Sequence, residues 1–298
     1  MKIFAIVVTY NGMRWYDQCL GNLRESRYPV ETVVIDNASS DNTVEYIKEH
    51  FPDVFLIESK ENLGFAKANN IGIRYAIDHE ADYVFLLNQD AWVEKDTVEK
   101  LVQTFEDNEK VGIASPMHLD GNYTGLDWGF VNYLPSAFIS DSFMQKAKPY
   151  YAAEFVNAAA WLISADCIHN VGGFDTLLFF HYGEDGNYCQ RVLYHGYQII
   201  INTTTTICHD RGERKETENE YRQKVLEKNP FISNKLLWGD INCDVDIPGL
   251  IKQYKISTVK SLLKFSKRRF MEHKRMISVL HDIEQSRIIN KRSGASWL

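Results

Sequence analysis

The sequence predicts an α/β fold: a mostly parallel central sheet flanked by helices, followed by a helical, basic C-terminal extension. Three observations carry this. Residues 3–8 (Ile-Phe-Ala-Ile-Val-Val) form a near-continuous apolar run, the pattern of a strand covered on both faces. Strand, polar turn and amphipathic helix then alternate as far as residue 114, and a parallel sheet with crossover helices is the natural solution to that alternation. The chain has 298 residues, 45% hydrophobic and 24% charged, enough for one large α/β domain and an appendage and too apolar for disorder.

The elements follow in order. After the first strand, Thr9-Tyr10-Asn11-Gly12 ends the run, and Tyr16, Leu20 and Leu23 mark the inner face of a helix. Residues 32–35 are a second buried strand ending at Asp36-Asn37. Ser39-Ser40-Asp41-Asn42 then offers capping side chains to a helix carrying Val44, Ile47 and Phe51. Residues 54–57 give a third strand, Asn62-Leu63-Gly64-Phe65 a turn into a helix over about 66–79, and residues 83–87 a fourth strand before Asn88-Gln89-Asp90. A helix with Val98, Leu101, Val102 and Phe105 precedes a short strand at 111–114. Residues 116–154 lose periodicity and predict excursions that contact substrate. Regularity returns with residues 159–164, a helix near 165–170, Gly172-Gly173, a helix from about 184 to 195 and a strand at 198–201. From about 215 the chain turns polar and helical.

Charge and cysteine content narrow the function. The net charge of −7 is uneven: residues 249–298 hold 12 Lys and Arg against 3 Asp and Glu, so the remainder is strongly acidic. An acidic body argues against nucleic acid as a partner, whereas a basic tail fits an anionic surface. Five cysteines without a CxxC pair predict neither a disulfide framework nor a cysteine zinc site, and a cytoplasmic setting is the default. No apolar run approaches a membrane span, and residues 3–8 are too short for a signal-peptide core.

Ligands of parallel sheets bind at the carboxyl ends of the strands, where Thr9/Asn11, Asp36/Asn37 and Asn88/Asp90 stand. A lone Gly12 after the first strand disfavours a dinucleotide fingerprint. Asp36 suits a ligand contact or an Asx-turn equally well. Asp90 suits either a hard divalent cation shared with a diphosphate or a plain turn. Glu184-Asp185, beside Phe179, Phe180, His181 and Tyr182, suits a general base, an acidic helix start favoured by the dipole, or both. His209 is either a metal ligand or a structural histidine.

Taken in order, these pieces resemble the glycosyltransferase family 2 enzymes of GT-A fold, in particular their rhamnosyltransferase-like branch. The matching residues are Val8-Thr9-Tyr10-Asn11, Val34-Ile35-Asp36-Asn37-Ala38-Ser39-Ser40-Asp41, Glu61-Asn62-Leu63-Gly64-Phe65-Ala66 with Asn69-Asn70 and Gly72, Leu86-Leu87-Asn88-Gln89-Asp90, Gly172-Gly173-Phe174-Asp175, Phe179-Phe180, Glu184-Asp185 with Arg191, Gly196-Tyr197, and His209. The resemblance spans roughly residues 1–210.

The resemblance implies a Rossmann-like catalytic domain over 1–215, with a nucleotide-sugar half of about 1–115 and an acceptor half of about 116–215, and a helical extension over 216–298. It implies a nucleotide-diphosphate sugar donor, UDP- or dTDP-linked, and a glycan or lipid-linked acceptor of bacterial cell-surface polysaccharide synthesis. Thr9, Asn11 and Asp36 would hold the nucleoside, with Gly64, Lys67, Asn69 and Asn88 beside the nucleotide. Asp90 and His209 would bind Mg²⁺ or Mn²⁺. Asp185 would be the base of an inverting, single-displacement transfer, with Glu184 its neighbour. Asn187, Ala158 and Ser164 depart from the family's usual residues, all on the acceptor side. A non-catalytic carbohydrate-binding relative would have lost Asp185 or Asp90, and a nucleotidyltransferase would need a more glycine-rich, basic loop than Tyr10-Asn11-Gly12-Met13-Arg14.

In the tail, Val259, Leu262, Leu263, Ser266 and Phe270 lie near one stripe of a helix expected over 251–276, surrounded by lysines and arginines. Two expectations follow: a peripheral contact with the inner face of a membrane, or packing of the stripe on the domain or on a second subunit of a homo-oligomer.

Overall fold

The computed structural model describes residues 1–211, 223, 225–227 and 229–298. The boundary expected at 215/216, and most of the polar segment after it, lie outside these residues.

Strand β1 (Ile3–Thr9) leads through a 3₁₀ turn (Met13–Trp15) into helix α1 (Tyr16–Arg24). Next come β2 (Glu31–Asp36), α2 (Thr43–His50), β3 (Phe55–Glu58), α3 (Gly64–Asp78) and β4 (Tyr83–Asn88). These four strands lie parallel in the order β3-β2-β1-β4. The register sets Thr9 opposite Asp36 and Val8 opposite Asn88, so three polar strand ends meet at one sheet edge.

The apolar run of β1 serves two cores, because successive side chains of a strand point to opposite faces. Ile3, Ala5 and Val7 pack with Tyr16, Leu20, Ile47, Val98 and Leu101 on one face. Phe4 and Ile6 pack with Ala66, Ile73, Trp161, Ile168 and Tyr188 on the other.

The second half of the sheet is mixed. It contains β5 (Ala91–Val93), helix α4 (Thr97–Asp107), β6 (Val111–Asp120), short helices α5 (Trp128–Val131) and α6 (Ser136–Phe143), and β7 (Tyr150–Ala153). Then follow β8 (Ala160–Ser164), α7 (Ala165–Val171), α8 (Glu184–Tyr194) and β9 (Gln198–His209). The full order is β3-β2-β1-β4-β8-β6-β9-β5, with β7 also on β9. β6 and β9 are parallel, whereas β8, β5 and β7 pair antiparallel with their neighbours.

Several strand limits differ from the sequence expectation. β5 is three residues long, too short to leave a periodic signature. β6 continues to Asp120 and β9 to His209, beyond the expected ends at 114 and 201. The register jumps between Pro116 and Met117, opposite Asn202 and Thr206, and this irregularity breaks the alternation on which the reading relied.

The extension folds back on the domain. Helices α9 (Ile232–Gly239), α10 (Ile247–Leu263) and α11 (Lys267–Asn290) bring Ile247, Ile251, Met276, Leu280 and Ile283 against Leu178 and Phe179. Burying one such side chain contributes about 1.5–3 kcal/mol. The single helix expected over 251–276 is therefore corrected: residues 264–266 break it, and Ser266 stands at the N-cap position of α11.

A polar clamp completes the docking. Asp175, fully buried, accepts hydrogen bonds from the Leu177 and Leu178 amides, from Ser286 Oγ and from Asn290 Nδ2. Gly172, at φ +84°, lies so close to the Ser296 backbone that a Cβ would meet its oxygen at 2.1 Å, so only glycine fits. Arg191, also fully buried, donates to the Gly173 and Val171 carbonyls, giving it a structural role in holding this turn.

Candidate active site

A cavity of about 560 Å³ opens along the carboxyl ends of β1 and β4. Its walls include Val8, Tyr10, Asn37, Asn62, Gly64, Phe65, Asn69, Asn88, Gln89, Asp90, Ala158, Phe180 and His181. Gly64, Asn69, Asn88 and Asp90 from the sequence reading thus share one cavity.

Thr9 and Asp36 stand together behind that wall. Both are buried, and Thr9 Oγ1 donates to Asp36 Oδ1 at 3.4 Å. The Ser39 amide donates to the other carboxylate oxygen at 3.1 Å, so Asp36 also holds its own turn. Asn11, at φ +49°, accepts from the Ser40 amide at 2.8 Å and donates its own amide to Ser39 Oγ. The β1 and β2 loops are thereby locked together at the sheet edge. Lys67 is exposed on α3 and is not among the cavity-lining residues.

The sequence reading placed Asn37 at a ligand-binding strand end and gave Asn62 and Gln89 no role of their own, yet the three together build this rim. Asn37 accepts from the Leu63 amide at 2.6 Å and donates to Asn62 Oδ1 and to the Gly64 carbonyl. Gln89 clasps the Tyr10 backbone, accepting from its amide and donating to its carbonyl. Gly64, at φ +75°, lets the Phe180 carbonyl pass where a Cβ would meet it at 2.3 Å, so α3 and the 175–183 loop close on one another.

Asp90 and His209 come together at the mouth of β4. Residue 91 pairs with His209 across β5 and β9, which brings His209 Nε2 to 3.5 Å from Asp90 Oδ1. His209 Nδ1 faces Asp127 Oδ2 at 3.0 Å, a close electrostatic contact, and Asp127 also pairs with Arg211. Burial opposes charge on the His209 ring, but Asp90 and Asp127 outweigh it and raise its pKa. Burial likewise works against an ionised Asp127, yet His209 and Arg211 hold its carboxyl well below the usual range. No pattern in the aperiodic 116–154 segment marks Asp127, because its role arises only when β6 and β9 pair.

These side chains fit a divalent cation. Asp90 lines the cavity and faces one imidazole nitrogen of His209, whose second ring nitrogen lies 3.0 Å from the Asp127 carboxylate, the kind of group that supports a metal-binding histidine. Among the described residues no group of three His, Cys, Asp or Glu side chains stands together to hold a metal ion.

Glu184 and Asp185 open α8. Gly183, in the left-handed region, turns the chain into the helix. Glu184 is buried, and Oε2 has no hydrogen-bond partner among the described residues. Burial, then the neighbouring Asp185 charge, pushes its pKa up to about 8. Asp185 is half-buried; desolvation raises its pKa, countered by the Gly186 and Ala158 backbones and by the Arg211 charge. Asp185 is not among the cavity-lining residues, but it meets the backbone of Ala158, which is. Burial raises both carboxyl pKa values, and Asp185 has the Gly186 and Ala158 backbones and the Arg211 charge to favour its ionised form.

Comparison with known proteins agrees with this architecture. The profile of Glycosyl transferase family 2 matches residues 4–172. The chain is 26% identical to the dTDP-rhamnosyl transferase RfbF of Shigella flexneri over 214 residues, 72% of this chain and 70% of that protein. It is 32% identical to poly-beta-1,6-N-acetyl-D-glucosamine synthase of Staphylococcus aureus over 117 residues, 38% of this chain but only 27% of that protein. Among solved structures, S. aureus TarS 1–349 in complex with UDP is similar with a TM-score of 0.55 at 14% identity, covering 96% of this chain and 92% of that one. The mannosyltransferase PcManGT of Pyrobaculum calidifontis, in complex with GDP-Man and Mn²⁺, has a TM-score of 0.54 at 17% identity, covering 97% and 86%. These likenesses show the GT-A fold. The chain belongs to glycosyl transferase family 2 and is a glycosyltransferase.

Proposed function

We propose that this enzyme transfers a sugar, with inversion, from a UDP- or dTDP-linked donor to a hydroxyl of a glycan or lipid-linked saccharide in bacterial cell-surface polysaccharide synthesis. The observation that carries the reading is one cavity lined by Gly64, Asn69, Asn88 and Asp90, next to whose lining residues stand the Thr9/Asp36 pair (beside Val8, Tyr10 and Asn37), His209 (against Asp90) and Asp185 (against the Ala158 backbone). The likeness to a protein named a dTDP-rhamnosyl transferase makes dTDP-rhamnose the first donor to test.

In this reading Thr9, Asn11 and Asp36 fix the loops that receive the nucleoside, and Asn69, Gly64 and Asn88 bound its cavity. Lys67 lies on the exposed side of α3 and drops from the proposed contacts. Asp185 accepts the proton of the attacking hydroxyl. Glu184, neutral near pH 7, leaves Asp185 without a second negative charge beside it. Asp90 and His209 would hold Mg²⁺ or Mn²⁺ together with diphosphate oxygens, and the ion when bound neutralises charge growing on the leaving diphosphate. In this reading Asp185 is the one carboxylate base, and the inverting transfer needs no protein nucleophile.

The test is a panel of nucleotide sugars, including dTDP-rhamnose, UDP-GlcNAc and GDP-mannose. Binding is read by thermal shift with and without Mn²⁺, and donor hydrolysis or transfer by nucleotide release. Stabilisation by UDP or dTDP sugars and not by GDP-mannose supports the reading. Equal indifference to all three removes it.

A further inference from the structure

Helices α10 and α11 form a hairpin whose turn is an unusual place for an aromatic residue. Phe265 sits at φ +51° and is 96% exposed. The turn closes through backbone bonds, with the Phe265 amide donating to the Leu262 carbonyl and the Ser266 amide to the Ser261 carbonyl, both at 3.0 Å. A glycine would make this helix-ending turn without steric cost. Neither backbone geometry nor packing therefore accounts for a phenylalanine here.

Its neighbours extend the pattern. Val259, Leu262, Leu263 and Met271 are all exposed around the same tip. Residues 252–275 carry nine Lys and Arg against one acidic side chain, Glu272, and all nine are exposed. The base of the hairpin is anchored through Ile251, Met276 and Leu280 on the domain, and Ser261 Oγ meets His273 Nδ1 at 3.1 Å between the two helices. Leu263 lies about 18 Å beyond Ile251 along α10. The tip is a supported projection with an apolar centre and a cationic ring.

We propose that this hairpin tip docks on an anionic bilayer surface, with Phe265, Leu262 and Leu263 entering the interfacial zone while Lys264, Lys267, Arg268 and Arg269 meet lipid headgroups. Apolar contact and headgroup charge are the two attractions that hold a peripheral protein at such a surface, and the tip supplies both. A second copy of the chain, meeting tip to tip, would oppose two cationic rings. The geometry also differs from an amphipathic helix lying flat, since the break at 264–266 presents the turn end-on.

The test is flotation of the full chain with vesicles of phosphatidylglycerol and phosphatidylcholine in equal parts, and with phosphatidylcholine alone, at low and high salt. The chain should float with the anionic vesicles at low salt only. Each cation engaged contributes roughly five-fold, so Lys264→Gln, Lys267→Gln and Arg268→Gln together should lower partitioning on the order of 10²-fold. Phe265→Gly should lose vesicle binding with an unchanged or raised melting temperature, because glycine suits the turn. Phe143→Ser, in a separate exposed apolar patch on α6, should still float. Equal recovery of wild type and Phe265→Gly with anionic vesicles overturns the proposal. So does a dimer in light scattering that Phe265→Gly dissociates, with no flotation of either protein. None of these readouts depends on transfer activity, so they fail or succeed independently of the enzymatic reading.

Discussion

His209 and Asp90 face each other across the end of the sheet, Nε2 to Oδ1 at 3.5 Å, because β9 pairs antiparallel with the three-residue strand that follows Asp90. The contact joins the last residue of the longest strand to the turn after β4 and sets an oxygen and a nitrogen donor at the cavity. Asp90→Ala should therefore weaken binding of the nucleoside diphosphate in Mn²⁺ while leaving binding of the bare nucleoside unchanged. Calorimetry with both ligands, with and without chelator, measures this. Full turnover in excess chelator would refute the metal assignment.

Asp127 orients the same histidine from behind. Carboxylates in that position typically account for 10–100-fold in metal affinity. Asp127→Asn should raise the Mn²⁺ concentration giving half-maximal activity by about that factor, with little change in the maximal rate at saturating metal. A titration of activity against Mn²⁺ separates the two. A fall in maximal rate alone would place Asp127 elsewhere in the reaction.

Asp185→Asn should retain the fold and donor binding but lower the transfer rate on the order of 10²–10⁴-fold, the usual loss of a general base. Thermal shift with donor verifies the first half and a steady-state assay the second. Near wild-type transfer would assign the base to another group.

Glu184 makes an opposite, pH-dependent prediction. Its folded pKa near 8 exceeds the ordinary value of 4.5, so between those values the folded chain keeps a proton the unfolded chain has released. Stability falls as pH rises through that window, and the loss is complete above about pH 8. Glu184→Gln mimics the neutral acid. Its melting temperature should match wild type near pH 4.5 and exceed it increasingly toward pH 8, and its activity at neutral pH should be close to wild type. A pH-independent difference between the two melting curves would contradict the buried, protonated state of Glu184.

Asp175→Ala should destabilise the junction of domain and extension. It strands the Leu177 and Leu178 amides and takes the carboxylate acceptor from Ser286 Oγ and Asn290 Nδ2, which keep only their bond to each other. Leaving such groups unpaired costs on the order of 3 kcal/mol in total. Urea denaturation reads the shift, and a midpoint equal to wild type would show that the apolar contacts alone hold the extension.

The sequence by itself determined the parallel half of the sheet, the strand ends at Thr9, Asp36 and Asn88, and the helix start at Glu184-Asp185. Local rules suffice there: apolar runs of strand length, capping residues and turn chemistry act over a few neighbouring positions. Only the tertiary structure decided how β5, β6 and β9 assemble, because a three-residue strand and a register jump leave no periodic trace. Asp127 follows from that assembly, whereas the Asn37–Asn62 rim forms where the loop after β2 meets the start of α3, two segments 25 residues apart. The raised pKa values of Glu184 and Asp185 were likewise invisible in sequence, since burial creates them. The break at Phe265 belongs to the same class. Helical spacing continues through residues 264–266, and the break shows only in the tertiary structure, where α11 returns against Leu178 and Phe179, a contact between segments far apart in the chain.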